Sequence, residues 1–428
     1  MGVYETAYWL SDTWGMSRRE ARSGAYHPYR PDLISAREFT LSPQAISAVS
    51  RAESAVRRLN ESTTHLTNTE PLARLILRSE ALASSRIEGL EMPAGRLLEY
   101  EALDELGVSH RLDGTEAAVI GNIRAMSESV ERLSKLARVS VEDLCEINRR
   151  LLENTDMAEY AGRLRSEQNW IGGNRVNPLD AAYVPPRPEL VPELMADLTA
   201  FCTHSELPPL AVAAIAHAQL ETIHPFPDGN GRTGRTLVHV LLRQRGLAPH
   251  VIPPVSLVLA TDRRRYTANL AAFRTDDESA AGQSLDAAIS DWMVYFSGAC
   301  LVACERAEAF EQVICSIQDR WRETLQPRAN SAASLLIDAL PSTPVVSVES
   351  AARLTGRSRE AARQAVNALA AAGILHQSAK NRKSNIYAAR DILDAFTSYE
   401  RALAAPGGNT AVEQPVRPVP QRIPRKRR

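Results

Sequence analysis

Residues 224–235 read His-Pro-Phe-Pro-Asp-Gly-Asn-Gly-Arg-Thr-Gly-Arg, and this run constrains the chain more than any other. Before it, residues 211–223 form an alanine-rich stretch with helical spacing; after it, residues 232–245 resume a helical pattern. The run therefore reads as helix, loop, helix, with two glycines flanking Asn230. Free amides at a helix N-terminus make an anion site, and glycines let a phosphate come close. Arg232 and Arg235, three residues apart, share one helix face, and their forked donors suit phosphate oxygens. Asp228 is a hard oxygen ligand of the kind that holds Mg2+ on phosphates. His224 stands at the edge of the loop with a side chain suited to taking a proton near neutral pH.

Three other readings use the same residues. Gly229-x-Gly231-x-x-Gly234 formally matches a dinucleotide fingerprint, and Gly229-x-x-x-x-Gly234-Arg235-Thr236 differs from a P-loop in having Arg235 where lysine belongs. Both require a preceding strand, and the preceding run is helical. A metal trio of His217, His224 and Asp228 is disfavoured, because a lone helical histidine such as His217 reads as a core or surface residue.

The run at 224–235 resembles the signature of the Fic (fido) family, H-P-F-x-[D/E]-G-N-G-R-x-x-R, at every defining position. The resemblance extends over about residues 40–400. It implies that His224 is the general base taking the proton from a target hydroxyl, and that Asp228 ligates Mg2+. It also implies that Asn230, with the amides of Gly229 and Gly231, holds phosphates, while Arg232 and Arg235 contact the outer phosphates. The implied reaction moves AMP from MgATP to Ser, Thr or Tyr of a target protein. ATP as the nucleotide is a family expectation; the target is not visible in the sequence.

Ser84-x-x-x-Glu88-Gly89 resembles the family's inhibitory motif. By that resemblance Glu88 pairs with Arg235, basal activity is low, and removal of AMP from targets is a second activity of the same site. From the residues alone, 170–176 reads as a short hairpin with a glycine turn, ended by Pro185-Pro186. It resembles the family's target-docking flap, with Trp170, Ile171, Gly172 and Gly173 at its edge. Tyr266 lies where relatives place a tyrosine near adenine, and Asn148 where they commonly have histidine; no consequence is attached to the latter.

With 428 residues, the chain is too long for one core in the usual size range. The expected organisation is an N-terminal arm over 1–40, a helical segment with the inhibitory motif over 41–110, a catalytic domain over 111–325, a winged-helix domain over 330–398, and a disordered basic tail over 405–428. The fold class is mostly α: a helical Fic core with a short β-hairpin flap and a C-terminal winged helix. In the winged helix, Arg357, Arg359 and Arg363 would face a groove of DNA, with Lys380, Arg382 and Lys383 reaching its backbone. This supports the alternative function of a DNA-binding regulator with a nucleotide-sensing core; a protein partner or a homodimer contact are further uses of the same unit. The formal net charge of −1 favours no partner class. Five cysteines without a C-x-x-C pair read as reduced thiols and a cytoplasmic location. No signal peptide and no run of about 18 apolar residues is apparent, so no membrane partner is expected.

Overall fold

Every residue of the helix from Pro209 to Ile223 beyond its first is buried, so this helix must lie at the centre with others around it. In the computed structural model, residues 2–11, 21–62, 69–105, 112–174, 176–274, 284–380 and 385–402 are described. The helices that build the core are α1 (Pro43–Ser62), α2 (Thr69–Ile87), α3 (Ala94–Glu105), α4 (Gly114–Leu133), α5 (Val141–Leu152), α6 (Val191–His204), α7 (Pro209–Ile223), α8 (Asn230–Gln244), α9 (Val255–Thr261), α10 (Arg263–Ala272) and α11 (Leu285–Leu325). The helix α7 packs on α8, α6, α11 and α1, and Trp292 of α11 donates its indole N–H to the carbonyl of Ala214 at 2.9 Å.

Small residues set the closest approach. Ala45, Ala48, Val49, Ala52, Ala55, Val56 and Leu59 recur at helical spacing and are all buried, which lets α1 lie along α11. An 18-residue window of α11 has mean hydropathy 1.4, long and apolar enough to cross a membrane. Its buried residues, among them Trp292, Phe296 and Cys300, are core residues of this fold. Helix starts follow local chemistry: Asp113 with Glu116, and Ser140 with Asp143, form reciprocal capping boxes at α4 and α5.

The N-terminal residues are more structured than an extended arm. Strand β1 (Val3–Tyr4) pairs antiparallel with β4 (Tyr29–Arg30), and β2 (Ala7–Trp9) with β3 (Gly24–Tyr26). Alternating aromatic residues give these strands a face to bury: Tyr29 is 3% exposed, and Trp9 meets Trp170 edge to face at 5.6 Å. Asp197 of α6 anchors the end of the segment by accepting the amides of Ile34 and Ser35.

The C-terminal unit comprises α12 (Ala332–Ala339), β5 (Val345–Val346), α13 (Val348–Thr355), α14 (Arg359–Ala371), β6 (His376–Lys380), β7 (Asn385–Ala388) and α15 (Arg390–Ala402). Its antiparallel sheet has the order β5-β7-β6, one strand more than the two the sequence pattern suggests. Two residues, Val345 and Val346, are too short a run to register as a strand. Arg382 and Lys383 and the basic tail lie outside the described residues, as does the side chain of Lys380. This unit is fastened to the core. Tyr399 stacks on Phe310 of α11 at 4.4 Å, and Phe396 lies 6.2 Å from the same ring. Arg78 of α2 donates to the carbonyl of Ser342 at 2.7 Å, and Arg86 of α2 lies 3.6 Å from Glu400 of α15.

Phe396 is fully buried at this junction. Phe396→Ala should cost about 3–5 kcal/mol, read as an earlier first transition in urea denaturation. An unshifted transition would mean the junction contributes nothing to stability.

Candidate active site

The loop at 224–229 owes its shape to a few pinned atoms. His224 ends α7 in the left-handed region, at φ 49°, with its amide bonded to the carbonyl of Leu220. Its own carbonyl accepts from Nε of Arg165 at 2.9 Å, and the amide of Arg165 donates to the carbonyl of Pro225 at 2.9 Å. Phe226 is fully buried and anchors the loop in the core. The side chain of Asn230 turns back on it, accepting the Phe226 amide and donating to the Phe226 carbonyl, both at 2.8 Å. The side chain of Asn230 thus braces the loop, and its second Nδ2–H and its backbone N–H stay available for an anion. Asn148 completes the set by donating to the carbonyl of Asp228 at 2.9 Å and accepting the amide of Gly162.

Gly229 takes φ 80° and precedes α8 without any side-chain cap, so the first amides of α8 are free to meet an anion. Arg232 is 3% exposed; its Nη2 reaches Oδ2 of Asp228 at 3.0 Å, while Nε and Nη1 are buried without a partner. A buried cation with spare donors requires an anion. Asp228 meets only one of the Arg232 donors, whereas Arg235, 1% exposed, is more fully matched. Its Nη2 lies 2.7 Å from Oε1 of Glu88 and 2.9 Å from the carbonyl of Ser84, while Nε donates to Oγ of Ser84 at 2.8 Å. Burial pushes the Glu88 carboxyl up, but Arg235, aided by Arg232 and Arg263, more than offsets this and holds it below the ordinary carboxylate range. A Cβ built on Gly231 would collide with Oε1 of Glu88. The carboxylate thus sits directly over the glycine that the anion cradle leaves bare.

Glu88, His224, Asp228, Gly231 and Arg235 line a cleft of about 510 Å3 that also includes Trp170, Ile171, Gly172, Tyr183, Glu221 and Tyr266. Two family models match the sequence: Fic/DOC family over residues 138–242 and Fic/DOC family N-terminal over residues 46–131. The chain belongs to the Fic/DOC family. Protein adenylyltransferase fic-1 of Caenorhabditis briggsae is 36% identical over 118 residues, 27% of this chain and 21% of the relative. Protein adenylyltransferase Fic of Drosophila willistoni is 35% identical over 138 residues, 32% of this chain and 26% of the relative. The matched region is thus about a quarter of these relatives' length. In fold, a Fic family protein from Desulfovibrio desulfuricans G20 matches with a TM-score of 0.51 and 21% identity, over 82% of this chain and 97% of that one.

The Fic core places the remaining expected residues unevenly. The stretch at 170–176 is not a ladder. It makes one isolated antiparallel bridge, Ile171 to Tyr183, because Gly172 and Gly173 both take positive φ and Asn174 folds the next amides onto its own side chain. Arg175 lies outside the described residues. Tyr266 is only 2% exposed and is tied by its hydroxyl to His217 at 2.6 Å and to Arg235 at 3.5 Å. It therefore supports the Arg235 guanidinium, with little of its ring open to the cleft. Burial and nearby Arg235 drive His217 down to about 3, which leaves it neutral.

Asp228 fits a Mg2+ role. Its carboxylate is 48% exposed at the mouth of the cradle, and Mg2+ binds through one or two carboxylates plus substrate phosphates and water. Among the described residues no cluster of three His, Cys, Asp or Glu could cage an ion, so phosphates would have to complete the shell.

Sequence reading missed the braces Arg165, Asn148 and Asn169, since a structural side chain bonding a distant carbonyl has no spacing signal. It also missed a fully buried network behind Arg235. Nε2 of His239, one turn further along α8, lies 2.7 Å from Oε1 of Glu80 on α2, and Glu80 accepts the amide and hydroxyl of Ser256. So α2 meets α8 at two levels, Glu80–His239 and Glu88–Arg235.

Glu88→Gly removes the carboxylate and leaves Arg235 with the neutral Ser84 and Tyr266. MgATP should then raise the melting temperature of Glu88→Gly by several degrees and that of the wild type by less. Differential scanning fluorimetry giving equal shifts would show that Glu88 does not contest the cradle.

Proposed function

We propose that the chain transfers AMP from MgATP to a Ser, Thr or Tyr hydroxyl of a target protein, and that Glu88 restrains this activity by pairing with Arg235. The observation that carries the reading is a carboxylate lodged over Gly231 and bonded to Arg235. The protein's own anion fills a cradle whose uncapped helix start and buried arginines suit a polyphosphate. The adenylyltransferase names of the relatives supply the nucleotide and the reaction.

In this reading the α8 amides and Arg232 and Arg235 hold the phosphates. His224, driven down to about 4 by burial and by Arg274 and Arg165, is a neutral imidazole at physiological pH. It takes the proton as the target oxygen bonds to the α-phosphorus. The bond from that phosphorus to the bridging oxygen breaks, and pyrophosphate leaves with the electron pair. Mg2+ bound at Asp228 supplies charge neutralisation on the phosphates. Catalysis is positioning and charge stabilisation. The edge at Trp170–Gly172 borders the cleft, with Gly173 next to it, and is the natural place for a target segment to dock. Five free cysteines suit a reducing, cytoplasmic setting.

The alternative of a DNA-binding regulator has less support. Arg359 pairs with Glu349, Arg363 with Glu360, and Arg357 bonds the carbonyl of Asn330. The expected recognition surface is thus interleaved with its own carboxylates, which lowers its attraction for phosphate.

Label transfer from α-labelled ATP to the protein itself and to a cell extract tests the reading. Glu88→Gly should label at least tenfold more than the wild type, and Glu88→Gly with His224→Ala should not label. Equal labelling of the wild type and Glu88→Gly would refute the restraint; labelling that survives His224→Ala would refute the base.

A further inference from the structure

The base of the proposed AMP transfer needs one ring nitrogen free, and the imidazole by itself does not choose which. A neutral histidine has one donor and one acceptor nitrogen, and the partner of one fixes the role of the other. In His224, Nδ1 is buried and has no hydrogen-bond partner. The nearest carboxylate is one helical turn back: Oε2 of Glu221 lies 3.9 Å from Nδ1. Glu221 is 7% exposed yet lines the cleft, an unusual place for an acid without a structural bond. Its backbone carbonyl is already engaged by Nη2 of Arg274 at 3.4 Å, and Arg274 rests over the Tyr183 ring at 3.6 Å. That carbonyl keeps a second lone pair and also acts on His224, so carbonyl and carboxylate compete for Nδ1–H, and of the two only the carboxylate can offset the charge of a protonated ring.

We propose that Glu221 is a positioning residue for His224, its carboxylate taking the Nδ1–H so that Nε2 is left as the free base. This rests on the AMP-transfer reading. The separation exceeds hydrogen-bond reach by about 1 Å, and catalytic hydrogen bonds are often long in ligand-free sites and tighten in the complex. When Nε2 takes the hydroxyl proton, the ring becomes a cation between Glu221 and the cleft, and the carboxylate offsets that charge while pyrophosphate leaves.

Several groups face this pair from the surrounding elements: Arg274 beyond α10, Arg165 and Tyr183 from the loops before α6, Glu88 from α2, Arg235 from α8 and Tyr266 from α10. Burial pushes Glu221 up to about 7, against Arg235 and Arg274, while His224 sits near 4. Glu221 is raised, so it loses its charge as pH falls through about 7. Its support for the base should disappear there, well above the pH at which His224 itself protonates.

The test uses the full chain carrying Glu88→Gly. The parent should show an acid limb in kcat near pH 7. Adding Glu221→Gln should lower kcat on the order of tenfold to a hundredfold, leave the KM for ATP unchanged, and move the limb toward pH 4. Nitrogen-15 NMR of the histidines, with Mg2+ and a non-hydrolysable ATP analogue, should show Nδ1–H on His224 in the parent and a mixture of tautomers in Glu221→Leu. Unchanged kcat and pH profile in Glu221→Gln, or an unchanged tautomer in Glu221→Leu, would overturn the proposal. Absence of AMP transfer in the parent would instead remove the functional reading, and the tautomer signal would still decide the role of Glu221.

Discussion

A guanidinium that is 1% exposed cannot be left without an anion. Arg235 lies on α8, one turn into the helix whose start forms the cradle, so its position is dictated by the fold and its partner is not. In this structure Ser84 of α2 supplies its hydroxyl and carbonyl and Glu88, just past the last residue of α2, supplies its carboxylate, with the Tyr266 hydroxyl of α10 beside them. The packing of α2 on the core is therefore an electrostatic requirement as much as a hydrophobic one. The second contact, Glu80 with His239 and Ser256, is wholly buried and sets the same helix in register two turns earlier. A helix held at both levels delivers Glu88 to one place.

The other half of the site is a loop made rigid by side chains that do no chemistry. Asn230 and Asn169 hold the Phe226 backbone, Arg165 holds His224, and Asn148 holds Asp228. Each satisfies a main-chain group that the loop, having left helical geometry, would otherwise bury unpaired. Asn148 is informative because it fills a position without obvious chemistry and yet carries the carbonyl of the residue suited to metal binding.

Much of the site is legible in the sequence because its chemistry demands fixed spacing along one helix and its entry loop. Gly229, Gly231, Arg232 and Arg235 follow from backbone approach and helical periodicity, whereas Ser84 and Glu88 are legible only through the resemblance of Ser84-x-x-x-Glu88-Gly89 to the family's inhibitory motif. What is not legible depends on distance in sequence. Nothing in the residues near Arg165, Glu80 or Arg274 says which remote carbonyl, imidazole or ring each will meet. The N-terminal strands escape notice because two- and three-residue runs carry no period, and their partners lie beyond the intervening residues 12–20. The stretch at 170–176 shows the converse error: glycines that suit a tight turn also permit, at Gly172 and Gly173, a backbone that breaks the ladder. The helix content of the core and the order of α12, α13 and α14, by contrast, follow from hydrophobic spacing, while α15 escapes the pattern.

The same α2 that carries Glu88 is gripped from its other partners by the C-terminal unit, through Arg78 on the Ser342 carbonyl and Arg86 beside Glu400. Glu400 is itself nearly buried, and burial raises its carboxyl against the pull of Arg86. Such a shared element makes the two ends of the molecule thermodynamically reciprocal. A molecule that engages the C-terminal unit more tightly when α2 has left α8 draws α2 away by that same free energy. An incoming polyphosphate that displaces Glu88 changes the affinity for that molecule by the identical factor.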